Sequence, residues 1–108
     1  MIHKIKISKD FSDVVGHRSV SDGPNSGEEF RKKFLEPAIA NNEIEKIEID
    51  MDDTWGYPSS FLEEAFGGLV RLFGKEIVEM KIRIISNQDE SLNSRIQSYI
   101  QKAEKETN

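Results

Sequence analysis

Ser59 and Ser60 stand side by side in Gly56-Tyr57-Pro58-Ser59-Ser60-Phe61-Leu62-Glu63-Glu64, immediately ahead of an apolar pattern at helical spacing. A hydroxyl in that place has two uses. It caps the helix by accepting a first-turn backbone N–H, worth about 1 kcal/mol, and Ser60 with Glu63 has the capping-box spacing. It also offers a site for phosphate, whose charge suits the positive end of a helix dipole. Capping needs no second protein, so it is the simpler reading, with Ser60 the residue expected to do it.

Asp50, Asp52 and Asp53 precede the serines and raise the question of Mg²⁺. Side chains alternate along a strand, so only Asp50 and Asp52 share a face, and two carboxylates without a phosphate ligand hold the ion feebly. Solvated or structural aspartates are expected, and no metal. A second segment, from Gly16-His17-Arg18 through Asn25-Ser26-Gly27-Glu28-Glu29-Phe30-Arg31, places glycines and hydroxyls before another helix start. Arg18, Ser26 and Gly27 form a candidate anion-binding set there, which would make the chain a small-molecule or nucleotide sensor. Against this, the spacing is not that of a phosphate-binding loop, and Glu28 and Glu29 satisfy the helix dipole themselves. An ordered connector into a capped helix explains the segment more simply. A triad can be drawn from Ser59 or Ser60 with His17 and Asp52, but triads are defined by geometry, and no spacing selects this one. No catalytic residue is assigned.

The elements that must hold these groups follow from periodicity. Ile5 and Ile7 alternate with Lys4 and Lys6, Ile47, Ile49 and Met51 with Glu48 and Asp50, and Val78, Met80, Ile82 and Ile84 with Glu79, Lys81 and Arg83. These are three half-buried strands. The stretch from Lys9 to Gly27 has no period and reads as an ordered loop or short hairpin. Ser26 with Glu29 opens a helix carrying Phe30, Phe34, Leu35, Ala38 and Ile39, which Pro37 should kink or divide. The helix after Ser60 buries Leu62, Ala65, Phe66, Leu69, Val70 and Phe73 and ends at Gly74. Asn87 with Glu90 caps a last helix carrying Leu92, Ile96, Tyr99, Ile100 and Ala103. Strands alternating with helices give an α/β fold with a parallel or mixed β-sheet, and amphipathic strands place the helices mainly on one face.

Gly67 and Gly68 interrupt a helix, each at about 1 kcal/mol relative to alanine, so close approach of another backbone, from the fold or a partner, is expected. Trp55 and Tyr57 in the preceding loop are candidate partner-contacting anchors. The chain has 108 residues, no cysteine, and 20 Asp plus Glu against 15 Lys plus Arg, for a net charge of −5. Length and core content fit one domain. The acidic balance argues against nucleic acid, whose phosphates need clustered Lys and Arg. The alternating N-terminus is no signal peptide, and no apolar run spans a bilayer, so no membrane association and cytoplasmic residence are expected.

The segments 16–31 and 56–71, the latter reading Gly-Tyr-Pro-Ser-Ser-Phe-Leu-Glu-Glu-Ala-Phe-Gly-Gly-Leu-Val-Arg, resemble the STAS-like bacterial domain family of unknown function DUF4325 over nearly the whole chain. The resemblance implies a single STAS-like domain (1–104, with a frayed polar tail at 105–108) akin to the anti-sigma-factor antagonists. In that class a serine at the start of the helix after a central strand is phosphorylated by a switch kinase, which blocks docking. Ser59 and Ser60 occupy its place, although Pro58 and Phe61 stand where the antagonists have Asp and Gly. A histidine-kinase-like ATPase is the implied partner, with no cofactor. The expectation is a non-enzymatic regulatory module docking a protein through the 52–71 loop-helix edge: Trp55, Tyr57, Ser59, Ser60, Glu63, Glu64, Gly67, Gly68 and Arg71.

Overall fold

Isoleucine alternating with charge builds three strands, β1 (Ile2–Lys6), β2 (Lys46–Asp50) and β3 (Ile82–Ile85), in a computed structural model that describes residues 1–106. They pair in the order β1-β2-β3 and all run parallel, with Ile5 opposite Ile49 and Ile49 opposite Ile84. Ile5, Ile47, Ile49 and Ile82 are buried on one face, while Lys4, Glu48 and Arg83 align across the other. Parallel strands added successively to the same edge by right-handed crossovers carry their connecting helices on one side of the sheet. The strand order therefore never reverses. A doubly wound sheet opens its ligand crevice at such a reversal, so this one has no crevice of that kind.

Helical turns run unbroken over 27–40, here α1, as Gly27–Phe30, a wider π-helical turn Arg31–Leu35, and Glu36–Ala40. The Ser26 hydroxyl accepts from Glu29 N–H at 3.0 Å as its spacing predicts, while the Glu29 carboxylate reaches Asn25 N–H. Pro37 does not divide the helix. The turn ahead of it widens instead, with Glu36 N–H reaching five residues back to Arg31 O, a register that absorbs the donor and space a proline removes. A second helix, α2, covers 59–73 with a similar wide turn at Glu63–Gly67, and its Phe61, Leu62, Ala65, Phe66, Leu69 and Val70 are fully buried. The last helix, α4 (Ser91–Lys102), packs against the middle of α2.

Between them lies a correction. Val78 to Lys81 were expected in the third strand, but they form α3 (Lys75–Lys81), and β3 starts only at Ile82. Val78 and Lys81 point inward at helical spacing while Met80 is 59% exposed. The Lys81 ammonium donates to Ile39 O and Asn41 O, both at 3.1 Å, closing the carbonyl end of α1. That long-range contact is invisible to local periodicity. The expected Asn87–Glu90 capping box is also absent: Asn87 N–H goes to Asp52, and the Asp89 carboxylate instead accepts from Ser91 N–H at 3.0 Å.

The 9–27 connector is ordered by hairpin-like contacts, Gly16 N–H to Asn25 O and Gly27 N–H to His17 O, both at 3.1 Å. Beyond α4, Ala103 is buried and Glu106 N–H donates to Arg71 O at 3.0 Å. The tail expected to fray ends in residues 107–108, which lie outside the described ones.

Candidate functional site

The C-terminal edge of the sheet is knitted by its aspartates. Asp50 accepts from Asp52 N–H at 2.9 Å and from Lys6 Nζ at 3.3 Å, and Lys6 also meets Asp53 at 2.9 Å. Lys6 holds the Asp53 carboxyl below the usual carboxylate range, and Asp53 raises Lys6 in return. Asp52 accepts from Asn87 N–H, Asn87 Nδ2 and Gln88 N–H, tying the loop after β2 to the loop after β3. The three aspartates thus have structural partners. Among the described residues no three His, Asp or Glu side chains gather closely enough to hold a metal ion.

The loop turns at Asp53 (φ 69°) and Gly56 (φ 120°), and Trp55 N–H is fixed by Asp13 O at 2.9 Å. Its two aromatic residues part company. Trp55 is 85% exposed, whereas Tyr57 turns inward, its hydroxyl donating to Met51 O at 2.7 Å and its ring 5.8 Å from Phe61. Tyr57 was expected at the partner surface; burial makes it a core residue. Burial, with the Asp50 and Asp52 charges adding, pushes its phenol up to about 12. A folded-state pKa raised above the unfolded value leaves stability intact below pH 10 and removes it as the pH climbs towards 12. The native chain should lose roughly 3 kcal/mol across that window, and Tyr57→Phe should flatten the loss. Urea titrations of both proteins at stepped alkaline pH check this, and parallel curves would refute it.

Ser59 and Ser60 open α2, but neither caps it. The N-cap position is Pro58, no side chain closes the first turn, and Leu62 N–H bonds Pro58 O at 3.2 Å. Proline's fixed φ suits the non-helical cap position, and burying both Phe61 and Leu62 starts the helix one residue before the expected cap. Ser59 is exposed and Ser60 half-buried.

One turn on, Glu63 and Glu64 anchor an ion network. Glu63 accepts from Arg18 at 2.5 Å and Arg71 at 2.7 Å, and Arg71, then Arg18, holds its carboxyl below the usual range. Glu64 meets Arg31 at 2.5 Å; Arg31 also bonds Glu64 O at 2.8 Å and Glu36 at 2.9 Å. Burial opposes the Arg31 charge, but the two carboxylates outweigh it and raise its pKa further. Gly68 makes room for this guanidinium, and Gly67 for the Glu63 carboxylate. The compensation for the mid-helix glycines is therefore a pair of side chains. The close backbone approach occurs at Gly27, where a Cβ would collide with Phe61 O.

The candidate anion set is assembled but engaged. Ser26 is fully buried with its hydroxyl on Glu29 N–H, Gly27 N–H goes to His17 O, Glu28 N–H to Arg18 O, and Arg18 lies on Glu63. The first turn of α1 thus presents no cradle of free donors. His17 adopts φ 69° with its ring against Gly23, and among the described residues no hydrogen bond joins it to either serine or to Asp52. A cavity of about 580 Å³ is lined by 73–77 and 103–105, apart from all these groups.

Sequence reasoning missed Arg31, Asp13 and the 87–89 loop. An arginine in a helix carries no mark of its partners, Asp13 reaches the site through its backbone carbonyl, and Asn87 through its backbone N–H and Nδ2. Among known families, a model described as a STAS-like domain of unknown function (DUF4325) matches residues 26–92. Comparison with curated proteins and with solved structures found no match.

Proposed function

This chain belongs to the STAS-like family DUF4325, and from that premise we propose that it is a non-enzymatic regulatory module that docks a protein partner. The supporting observation is Trp55, a large aromatic 85% exposed on a turn that Asp13 and the Asp53–Gln88 contact hold in place. A fixed exposed indole is the kind of side chain that carries binding energy at interfaces. Helix α2 itself offers little, since its inner face is buried and Gly67 and Gly68 are covered. The docking edge thereby narrows to 53–60, with Glu63, Glu64 and Arg71 as its ionic flank. The acidic balance favours protein over nucleic acid. No helix among the described residues is long and apolar enough to cross a membrane.

Photo-cross-linkers at position 55 and, as control, at Arg83 on the open sheet face test the edge. Cross-links to one protein from 55 and none from 83 support it; the reverse pattern ends it. The finer reading is a switch: a histidine-kinase-like ATPase phosphorylates Ser59 or Ser60. Neither serine caps the helix, so modification sacrifices no cap, and the added charge meets the positive end of α2. Incubation with that partner and Mg-ATP should add one phosphate to this pair. Unmodified Ser59 and Ser60 by mass spectrometry at saturating partner would sink the switch while leaving the docking edge standing.

A further inference from the structure

Trp55 forms one wall of a cavity of about 230 Å³ that also takes in Asp52, Tyr57, Gln88, Asp89 and Leu92. That volume falls short of the roughly 300–1,000 Å³ of sites built for free small molecules and suits a single long side chain. Its lining is mixed, with indole and Leu92 on the apolar side and two carboxylates on the other. Asp52 is occupied by its three loop donors. Asp89 receives Ser91 N–H and the Ser91 hydroxyl on Oδ1 alone, leaving Oδ2 as its other acceptor.

The charge around the cavity is one-sided. Among the described residues Asp52 and Asp89 line it and no lysine or arginine does; the cations nearby are Lys6, already held by Asp50 and Asp53, and Arg95, which donates to Tyr57 O at 3.4 Å and, after the Ser91 donors, helps hold the Asp89 carboxyl below its usual range. The lining itself therefore carries two carboxylates and no cation. A cation enters such a place with a favourable field, and an indole face adds attraction that grows as water is excluded.

We propose that this cavity receives one arginine side chain of the docking partner, its guanidinium lying on the Trp55 indole and donating to the Oδ2 of Asp89. The planar guanidinium serves both contacts at once, which a lysine ammonium does not. The inference rests on the docking reading above and adds the partner's chemistry: a basic segment with an arginine at its centre.

Trp55 is the single tryptophan, so its fluorescence reports the cavity directly. The full chain is titrated with the blocked peptide acetyl-Gly-Arg-Arg-Gly-amide, and with the analogues carrying leucine or glutamate in place of arginine. The arginine peptide should shift the emission saturably in the millimolar range, with amide NMR shifts confined to 51–57 and 86–92. Trp55→Ala, followed by NMR, should weaken it roughly tenfold. Asp89→Asn keeps the Oδ1 acceptor for Ser91 while removing the charge, and should weaken binding several-fold with the fold intact. An arginine peptide without saturable effect, or one unaffected by Asp89→Asn and matched by the leucine peptide, overturns the inference. Cross-links from position 55 in the presence of that failure would preserve the docking edge and discard only the basic partner. Absence of those cross-links would remove the docking edge itself, and with it the partner arginine.

Discussion

Gly27→Ala should destabilise the chain by about 3 kcal/mol and lower its melting temperature by roughly 10–20 °C. Gly27 is the first residue of α1, buried where that helix crosses the start of α2. A Cβ there would collide with Phe61 O and stand 3.1 Å from Glu64 Cβ and 3.2 Å from Ala65 N. Two of these atoms are backbone, and α2 cannot retreat without pulling fully buried Phe61, Leu62 and Ala65 from the core. Alanine's better helix propensity returns at most about 1 kcal/mol, so overpacking decides the sign. Gly67→Ala is the control. Its Cβ meets the Glu63 carboxylate, the movable end of a side chain, so stability should stay within about 1 kcal/mol of the parent. Equal melting temperatures for the parent and Gly27→Ala would show that the helices have slack.

Arg31→Met should be comparably severe, at about 3 kcal/mol, because it keeps the apolar stem and deletes a buried cation. Arg31 is 7% exposed, and its guanidinium bridges Glu36 on its own helix to Glu64 on α2. Burying a charge is unfavourable, yet removing one member of a buried pair is worse, since the carboxylates left behind stay desolvated. Glu64 retains longer contacts with Arg18 at 3.5 Å and Arg71 at 3.9 Å, which keeps the effect below the top of the range for buried pairs. The double variant Arg31→Met with Glu64→Gln should recover part of the loss, as coupling between touching groups requires. Denaturant midpoints measure both. A strictly additive double variant would mean that Arg31 acts by packing alone.

The two experiments bear on how legible the molecule is in its sequence. The strands around Ile5 and Ile49 and the start of α1 at Ser26 follow from local pattern, because burial of one face and satisfaction of a first-turn N–H are decided within a few residues. Val78 to Lys81 fail for the opposite reason. Their period-two alternation is local, but the demand that Lys81 reach the end of α1, some forty positions away, overrides it. Ser60 fails as a cap because Pro58 and the burial of Phe61 set the helix start.

The candidate site divides along the same line. From residues alone came the serine pair ahead of α2, the loop indole as a candidate anchor, the family resemblance and the acidic balance; each is a property of residue type and near spacing. Tertiary structure alone decided that Tyr57 faces the core while Trp55 faces solvent, that Arg18 lies on Glu63 and Arg31 on Glu64, and that Trp55 shares a cavity with Asp89. Those outcomes depend on which helices and loops meet. No window of neighbouring residues carries that information, because the contacts join segments that only the packing of α1 and α2 over one face of the sheet brings together.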